Sequence, residues 1–455
     1  MHRASISRRD FFKFAGGAAA AAIAPKETLF YKPSMQLGGT LRILQWSHFV
    51  PQYDRWFDAF ARNWGEVNGV EVIVDHIGLA DLTPRAAAEI SAGEGHDLIE
   101  MMEPPSALEP SLMDLTDVNE EAASRFGEQV GLCTRSSFNP TTNKYYGFCH
   151  GWVPDPGDYR KSLWEQVGMP DGPSTWEELL EGGREIKETL GIQLGIGMSN
   201  EIDSNMAARA MIWSFGGSIQ DENENVVFNS PETVAAVEYM VQLYQGAMTD
   251  EVFAWNAASN NQLLIAGQAS YILNSISAYR TAQEANPEVA DDIFFRPALA
   301  GPSGLAWASS HVIPVYMIPN HSQNPDAAKE FMLHLVANYG QAVFNSKLYN
   351  FPAYVSTAPD LFAEENSWLD VDPFGSRPID KLALLRDAES WTTNLGHPGP
   401  ANPAEGEVLN TFILPQMMAK AARGEMTPEE AVADAEAQIV AIFDKWRAEG
   451  LVGGG

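Results

Sequence analysis

Cysteine is almost missing from this 455-residue chain, which has only Cys133 and Cys149. Two thiols exclude a disulfide-stapled scaffold, and without a C-x-x-C pair there is neither a thiolate zinc site nor an attached c-type haem. Positive charge is also scarce: 29 Lys and Arg face 60 Asp and Glu, for a formal charge of −31. A field of that sign disfavours nucleic acid and anionic membrane surfaces as partners, and it weighs against a highly anionic ligand. The nine histidines are scattered, with no i, i+4 pair on an expected helix. The glycine-rich nucleotide fingerprints, the H-E-x-x-H zinc motif and the G-x-S-x-G elbow are all absent. The chain is therefore expected to be no enzyme, and no cofactor or resident metal is expected. Asp221, Asn223, Asn225 and Glu232 fall at calcium-loop spacing, but Val226 stands where the loop needs glycine, so a solvated hairpin is the better expectation.

Long apolar runs are missing too. The stretch from Ala15 to Ala24 is broken by Gly16 and Gly17 and falls well short of the ~20 residues a membrane span needs. What precedes it is specific: Ser7-Arg8-Arg9-Asp10-Phe11-Phe12-Lys13. A twin arginine in that setting, followed by a short weakly apolar stretch, is an export signal for folded proteins. Cleavage is expected just after Ala24, giving a signal over residues 1–24 and a tether over 25–39. No cysteine follows the signal, so a lipid anchor is not expected. Arg3, Arg8, Arg9 and Lys13 against Asp10 give residues 1–24 a net +3, so the remainder carries about −34. The expected product is a soluble, monomeric protein at the periplasmic or extracytoplasmic face, with the Tat translocon as a partner during export. Cys133 and Cys149 lie sixteen positions apart, and spacing alone leaves a disulfide and two separate buried thiols equally open.

Apolar content of 45% and 12 Trp speak for a large folded core, enough for two lobes. Thr40–Trp46 reads as a strand. Tyr53, Trp56, Phe57, Phe60 and Trp64 recur at helical spacing, and Val70–Val74 reads as a second strand. A helix over Leu82–Ala92 and a strand over Asp97–Met102 complete a parallel α/β rhythm. Ligands in such sheets sit beyond the carboxyl ends of the strands. Helices are also expected from Ser174-Thr175, over Met206–Phe215, from Ser230-Pro231, from Asn324-Pro325 and from Thr427-Pro428. Short strands are expected at Leu194–Met198, Val226–Phe228, Ala269–Leu273 and His311–Met317.

Several segments together resemble a known family. Tyr145-Tyr146-Gly147-Phe148 is followed by Tyr159–Gly168 (YRKSLWEQVG) and Pro173–Leu179 (PSTWEEL). Ile265–Ser275 (IAGQASYILNS), Ile318–Leu335 (IPNHSQNPDAAKEFMLHL) and Ala422–Ile439 (ARGEMTPEEAVADAEAQI) continue the pattern in order. The run resembles family 1 of the extracellular solute-binding proteins of ABC importers, the maltose-binding-protein-like group, from about Gly39 to Trp446. The resemblance implies two α/β lobes around a hinge, type II-like, with ligand in the cleft. It places lobe 1 at 40–150 plus 298–355 and lobe 2 at 151–297 plus 356–449. It also implies capture of a carbohydrate, an oligosaccharide above all, for delivery to the membrane subunits of an ABC permease. The same fold with a non-sugar solute, a sensor role, or an exported hydrolase stay as alternatives. Ser275, Ser277, Cys149 and His150 depart from the family pattern at positions that line its cleft.

Sugar sites combine flat aromatic faces with planar polar groups. Residues of those types at strand ends and in loops make the candidate ligand-binding set. These are Trp46 and His48; Glu103; Trp152 and Asp155; Trp255 and Asn256; Asn274, Ser275 and Ser277; Trp307 and Ser309; and Tyr349. Trp56, Trp64, Trp164, Trp176 and Trp446 lie at core spacing and read as packing. Trp213 suits either role.

Overall fold

The first strand, Thr40–Trp46, places Leu41, Ile43, Leu44 and Trp46 in the core of a computed structural model that describes residues 28–29 and 36–454. The signal over 1–24 and most of the tether lie outside the described residues. Helix Gln52–Asn68 follows, burying Tyr53, Phe57, Phe60, Ala61 and Trp64 at helical spacing. It stops at Gly69, whose φ of 71° only glycine adopts freely. Strand Glu71–Ile77, helix Leu79–Ala92 and strand Leu98–Met101 complete the expected rhythm. The three strands are parallel, with the first in the middle. Val315–Met317 and Phe148–Cys149 extend this sheet antiparallel to their neighbours, for five strands in all.

A second sheet orders its strands Ile293–Arg296, Gly157–Arg160, Ala269–Leu273 and Gln193–Gly195. Helices Trp176–Leu190, Ile202–Phe215, Pro231–Ala247, Ile413–Ala422 and Pro428–Ala448 pack with it. Their starts match the capping chemistry expected. Thr175 Oγ1 accepts from Glu178 N–H, Ser230 Oγ from Thr233 N–H, and Thr427 with Glu430 forms a full capping box. Trp64, Trp164, Trp176 and Trp446 are buried in the two main cores, as their spacing indicated.

The chain links the two sheets by short paired crossings. Gly151–Trp152 runs antiparallel to Phe351–Pro352, and Ala308–Ser309 parallel to Thr392–Thr393. The result is the expected α/β fold of two sheet-centred lobes around a shared hinge.

Some local expectations differ. Val226–Phe228 is no strand: only a single bridge, Gln220 to Val226, forms there. Asp221 carboxylate oxygens instead accept from the Asn223 and Asn225 backbone N–H groups and the Asn225 amide, which closes a local turn. His311–Met317 shortens to Val315–Met317, because His311 and Val312 serve the crossing.

Candidate functional site in the interlobe cleft

Helix Ile202–Phe215 is buried almost throughout; it opens on Asp203, Ser204 and Asn205, and beyond them Arg209 is its one ionisable residue. Glu201 caps it, accepting from the Asp203 and Ser204 backbone N–H groups. The helix lies against the crossing segment: Trp307 N–H donates to Ser214 Oγ, and Ser214 Oγ–H to the Trp307 carbonyl. Between helix, crossing and the loop after the third strand is a cavity of about 40 Å³. Glu103, Met206, Arg209, Ser309, His311 and Leu409 line it. Small-molecule pockets usually measure ~300–1,000 Å³. A solute therefore enters this cavity only if the lobes part at the hinge.

Arg209 donates from Nη1 to Glu405 Oε2 at 2.8 Å, and both side chains are buried. Arg209 Nε and Nη2 and Glu405 Oε1 have no partner among the described residues. Burial raises the Glu405 pKa, against the pull of Arg209. Glu103 accepts from Thr83 Oγ1 at 3.0 Å, and burial raises its pKa too.

His311 stands at the centre of the crossings, with Nδ1 3.0 Å from Asp155 Oδ1. Burial works against its charged form, but Asp155, Asp203 and Glu201 together lift its pKa above the ordinary value. Burial and the Glu201 charge push Asp203 well up. Asp203 Oδ2 accepts from Asn260 Nδ2 at 2.9 Å and from Asn274 Nδ2 at 3.3 Å. Asn274 Oδ1 accepts from Ser275 and Ser277 hydroxyls at 3.3 and 3.4 Å. Asp155, Asn274, Ser275 and Ser277 thus belong to one buried polar region.

Trp46, His48 and Tyr349 form an aromatic row beside it. Trp46 and His48 centroids lie 4.8 Å apart, His48 and Tyr349 5.0 Å, and Tyr349 and His311 6.3 Å. His48 Nδ1 accepts from Val50 N–H at 2.8 Å, and its Nε2 lies 3.3 Å from Asn350 Oδ1. Burial takes its pKa down to about 3, so the ring is neutral.

Other candidates lie elsewhere. Trp152 packs on Phe351 and lines a separate recess with Val355, Phe362 and Leu385. Trp255 lines another recess with Ser199, Lys420 and Arg423. Asn256 Oδ1 accepts from Ala258 N–H and so shapes a local turn. Trp307 joins Trp213 and His397 in an open recess of about 350 Å³. His397 lies 4.7 Å from Trp307 and 5.5 Å from Trp213, centroid to centroid. Cys133 and Cys149 are free and buried, with Sγ atoms 3.8 and 3.2 Å from the Gly151 carbonyl oxygen.

Sequence reasoning missed Arg209, Glu201, Asp203, His311, His397 and Glu405. One signal was available: Arg209 is the only ionised residue within Met206–Phe215, and a lone charge in an apolar helix needs a buried partner.

Two sheet-centred lobes joined by paired crossings, with a cavity at the junction where Glu103, Arg209 and His311 stand among mostly apolar neighbours, are the frame of a two-lobed solute-binding fold. The chain belongs to the family described as bacterial extracellular solute-binding proteins, whose model matches residues 56–367. Residues 5–25 match the twin-arginine translocation pathway signal, so the protein is exported. A binding protein of Brucella abortus (strain 2308) is 24% identical over 289 residues. That match covers 63% of this chain and 65% of the relative, a little under two thirds of its length. Among solved structures, a maltose-bound protein of T. maritima superposes with a TM-score of 0.70 at 20% identity, covering 89% of this chain and 100% of that one. A sugar transporter protein of Arthrobacter chlorophenolicus A6 with bound laminaribiose gives 0.71 at 18% identity, covering 89% and 99%. These likenesses bear on fold. Among the described residues, no helix is long and apolar enough to cross a membrane.

Proposed function

We propose that this chain is the extracytoplasmic substrate-binding component of an ABC importer, and that it captures a carbohydrate between its lobes and hands it to the permease. The observation that carries the reading is the junction itself. Polar side chains from both lobes (Glu103, Arg209, Ser309 and His311) converge on one cavity beside half-buried Trp307. Aromatic faces next to planar hydrogen-bonding groups suit the C–H and hydroxyl surfaces of a sugar. The maltose and laminaribiose held by the structural neighbours fit the same reading. Binding needs no general base and no covalent step, which agrees with a sequence that carries none of the catalytic motifs sought in it.

Capture works by hinge closure. The chain passes between the lobes through short crossings, so a rotation about them opens the cavity, and contacts made to both lobes favour the closed state. The test is titration of purified protein with a panel of sugars, amino acids, polyamines and metal ions, followed by Trp fluorescence and melting temperature. Sugars should raise the melting temperature as ligand linkage requires. A response confined to another solute class refutes the carbohydrate assignment. Loss of sugar uptake on gene deletion would place the protein in transport, and loss of a sugar response alone would place it in sensing.

A further inference from the structure

Three elements line both the closed cavity and the open recess, and in the same order. Helix Ile202–Phe215 gives Met206 and Arg209 to the cavity and Trp213 to the recess. The crossing gives Ser309 and His311 to the cavity and Trp307 to the recess. The loop beyond Thr393 gives Leu395 to the cavity and His397 to the recess. Arg209 and Trp213 are four residues apart, hence on one helix face and about 6 Å apart along the axis. Cavity and recess therefore lie side by side on the same three elements, and a ligand that parts the lobes would meet them as the inner and outer parts of one groove.

The inner part has an unmet requirement. Nε and Nη2 form the side edge of a guanidinium, two parallel donors that match a pair of adjacent oxygens. On Arg209 both are buried and unpartnered, as is the acceptor Glu405 Oε1 behind them. Unpaired buried polar atoms are costly, so a resting structure that leaves two such donors on Arg209, which lines the cavity, and one acceptor on Glu405 behind it points to a ligand that meets them. Glu405 already neutralises Arg209, and Glu103 lines the same cavity. A carboxylate ligand would add a further anion there, whereas a vicinal diol accepts from the arginine edge and can donate a hydroxyl hydrogen bond to a carboxylate oxygen such as Glu405 Oε1. The outer part offers a half-buried indole, Trp307, over a floor of Trp213, with exposed Leu305 at the rim.

We propose that the groove holds two successive rings of a neutral oligosaccharide: the Arg209–Glu405 pair takes the vicinal hydroxyls of the inner ring, and Trp307 stacks on the next. This assignment rests on the carbohydrate reading and makes it more specific. It makes Arg209 the residue that discriminates neutral sugars from uronates, and Trp307 the one that discriminates oligosaccharides from monosaccharides.

The test is calorimetric titration of the full mature protein with glucose, maltose, cellobiose, xylobiose, laminaribiose, maltotriose and galacturonate. Wild type should bind one of the neutral di- or trisaccharides best and galacturonate worst. Trp307→Ala should weaken that oligosaccharide about tenfold and leave the monosaccharide unchanged. Arg209→Lys keeps a charge on Glu405 but removes the double edge, and it should cost about 100-fold for every sugar. The double change Arg209→Met with Glu405→Met leaves no charge unpaired, so it separates lost binding from lost folding when its melting temperature is compared with wild type. A preference for galacturonate overturns the proposal. So does an equal loss on mono- and oligosaccharides for Trp307→Ala, or full affinity in a folded Arg209→Lys protein. In those three cases the carbohydrate reading stands. If no sugar binds at all, both fall together.

Discussion

Replacing Asp158 by Asn should stabilise the protein at neutral pH and leave it unchanged in acid. Asp158 lies in the middle of the second sheet, opposite Ile272 on one neighbour and Phe295 on the other. It is fully buried, and neither carboxylate oxygen has a partner among the described residues. Burial raises its pKa well above the usual carboxylate range, and the nearby Asp155 raises it further. The sign follows from proton counting. Above pH ~3.9 an aspartate in the unfolded chain has lost its proton, while the folded chain still holds one. Stability then falls as pH rises, by about 1.4 kcal/mol per pH unit, until the folded pKa is passed. Asparagine has the shape of the protonated acid and nothing to titrate. The stability difference between variant and wild type should be near zero at pH 4 and grow by about 1.4 kcal/mol per unit, so that two such units amount to about 3 kcal/mol. Urea midpoints at half-unit steps from pH 4 to 8 measure it. Burial lowers His48 and His150 to about 3 and His334 and His397 to about 4. These tilt stability the opposite way below pH ~6.5, but they do so in both proteins and cancel in the difference. A difference that is flat, or that grows toward acid, refutes the reasoning, for it would mean that Asp158 is ionised and paired.

Other outcomes are simpler to state. Asp372→Ala should cost ~3–5 kcal/mol by urea denaturation, because it strands Arg280, which reaches both Asp372 oxygens at 2.7 and 3.1 Å in a buried pair. Thr427→Ala removes the capping box of the last helix and should cost ~1 kcal/mol in the same assay. Changing Arg8 and Arg9 to Lys should leave ligand affinity intact and strand the protein in the cytoplasm, as fractionation would show; unimpaired export contradicts the signal assignment.

The first lobe was legible because its signals are local. Thr40–Trp46 and the helix after it follow from alternation, then from a 3.6-residue period, then from a glycine stop. Helix starts at Thr175, Ser230 and Thr427 were likewise written in cap residues. The cleft was only partly legible. Trp307, Ser309 and Glu103 could be nominated from loop position, but their partners come from residues far away in sequence. Arg209 meets Glu405 across 196 positions, and His311 meets Asp155 across 156. No period or motif records such a meeting. Trp152 and Trp255 show the converse: an aromatic at a strand end or in a loop finds a recess, but not the one at the junction.

The export route bears on the two cysteines, which sequence spacing left open between a bridge and free thiols. Both are fully buried beside the first crossing, and both sulfurs approach the same Gly151 carbonyl. Burial, followed by the hydrogen bond with Cys149, pushes the Cys133 pKa far up. Disulfide exchange needs a thiolate and access to it; Cys133 is held in its protonated form, and burial closes off both sulfurs. A twin-arginine signal delivers the chain already folded, so the oxidising compartment meets a closed core. The thiols should therefore stay reduced in the exported protein. Iodoacetamide should label neither cysteine in the native protein and both in guanidinium, with mass spectrometry counting the adducts. A denatured protein that takes no label and is lighter by two hydrogens would show that the bridge had formed, and that the core opens after export widely enough to admit an oxidant.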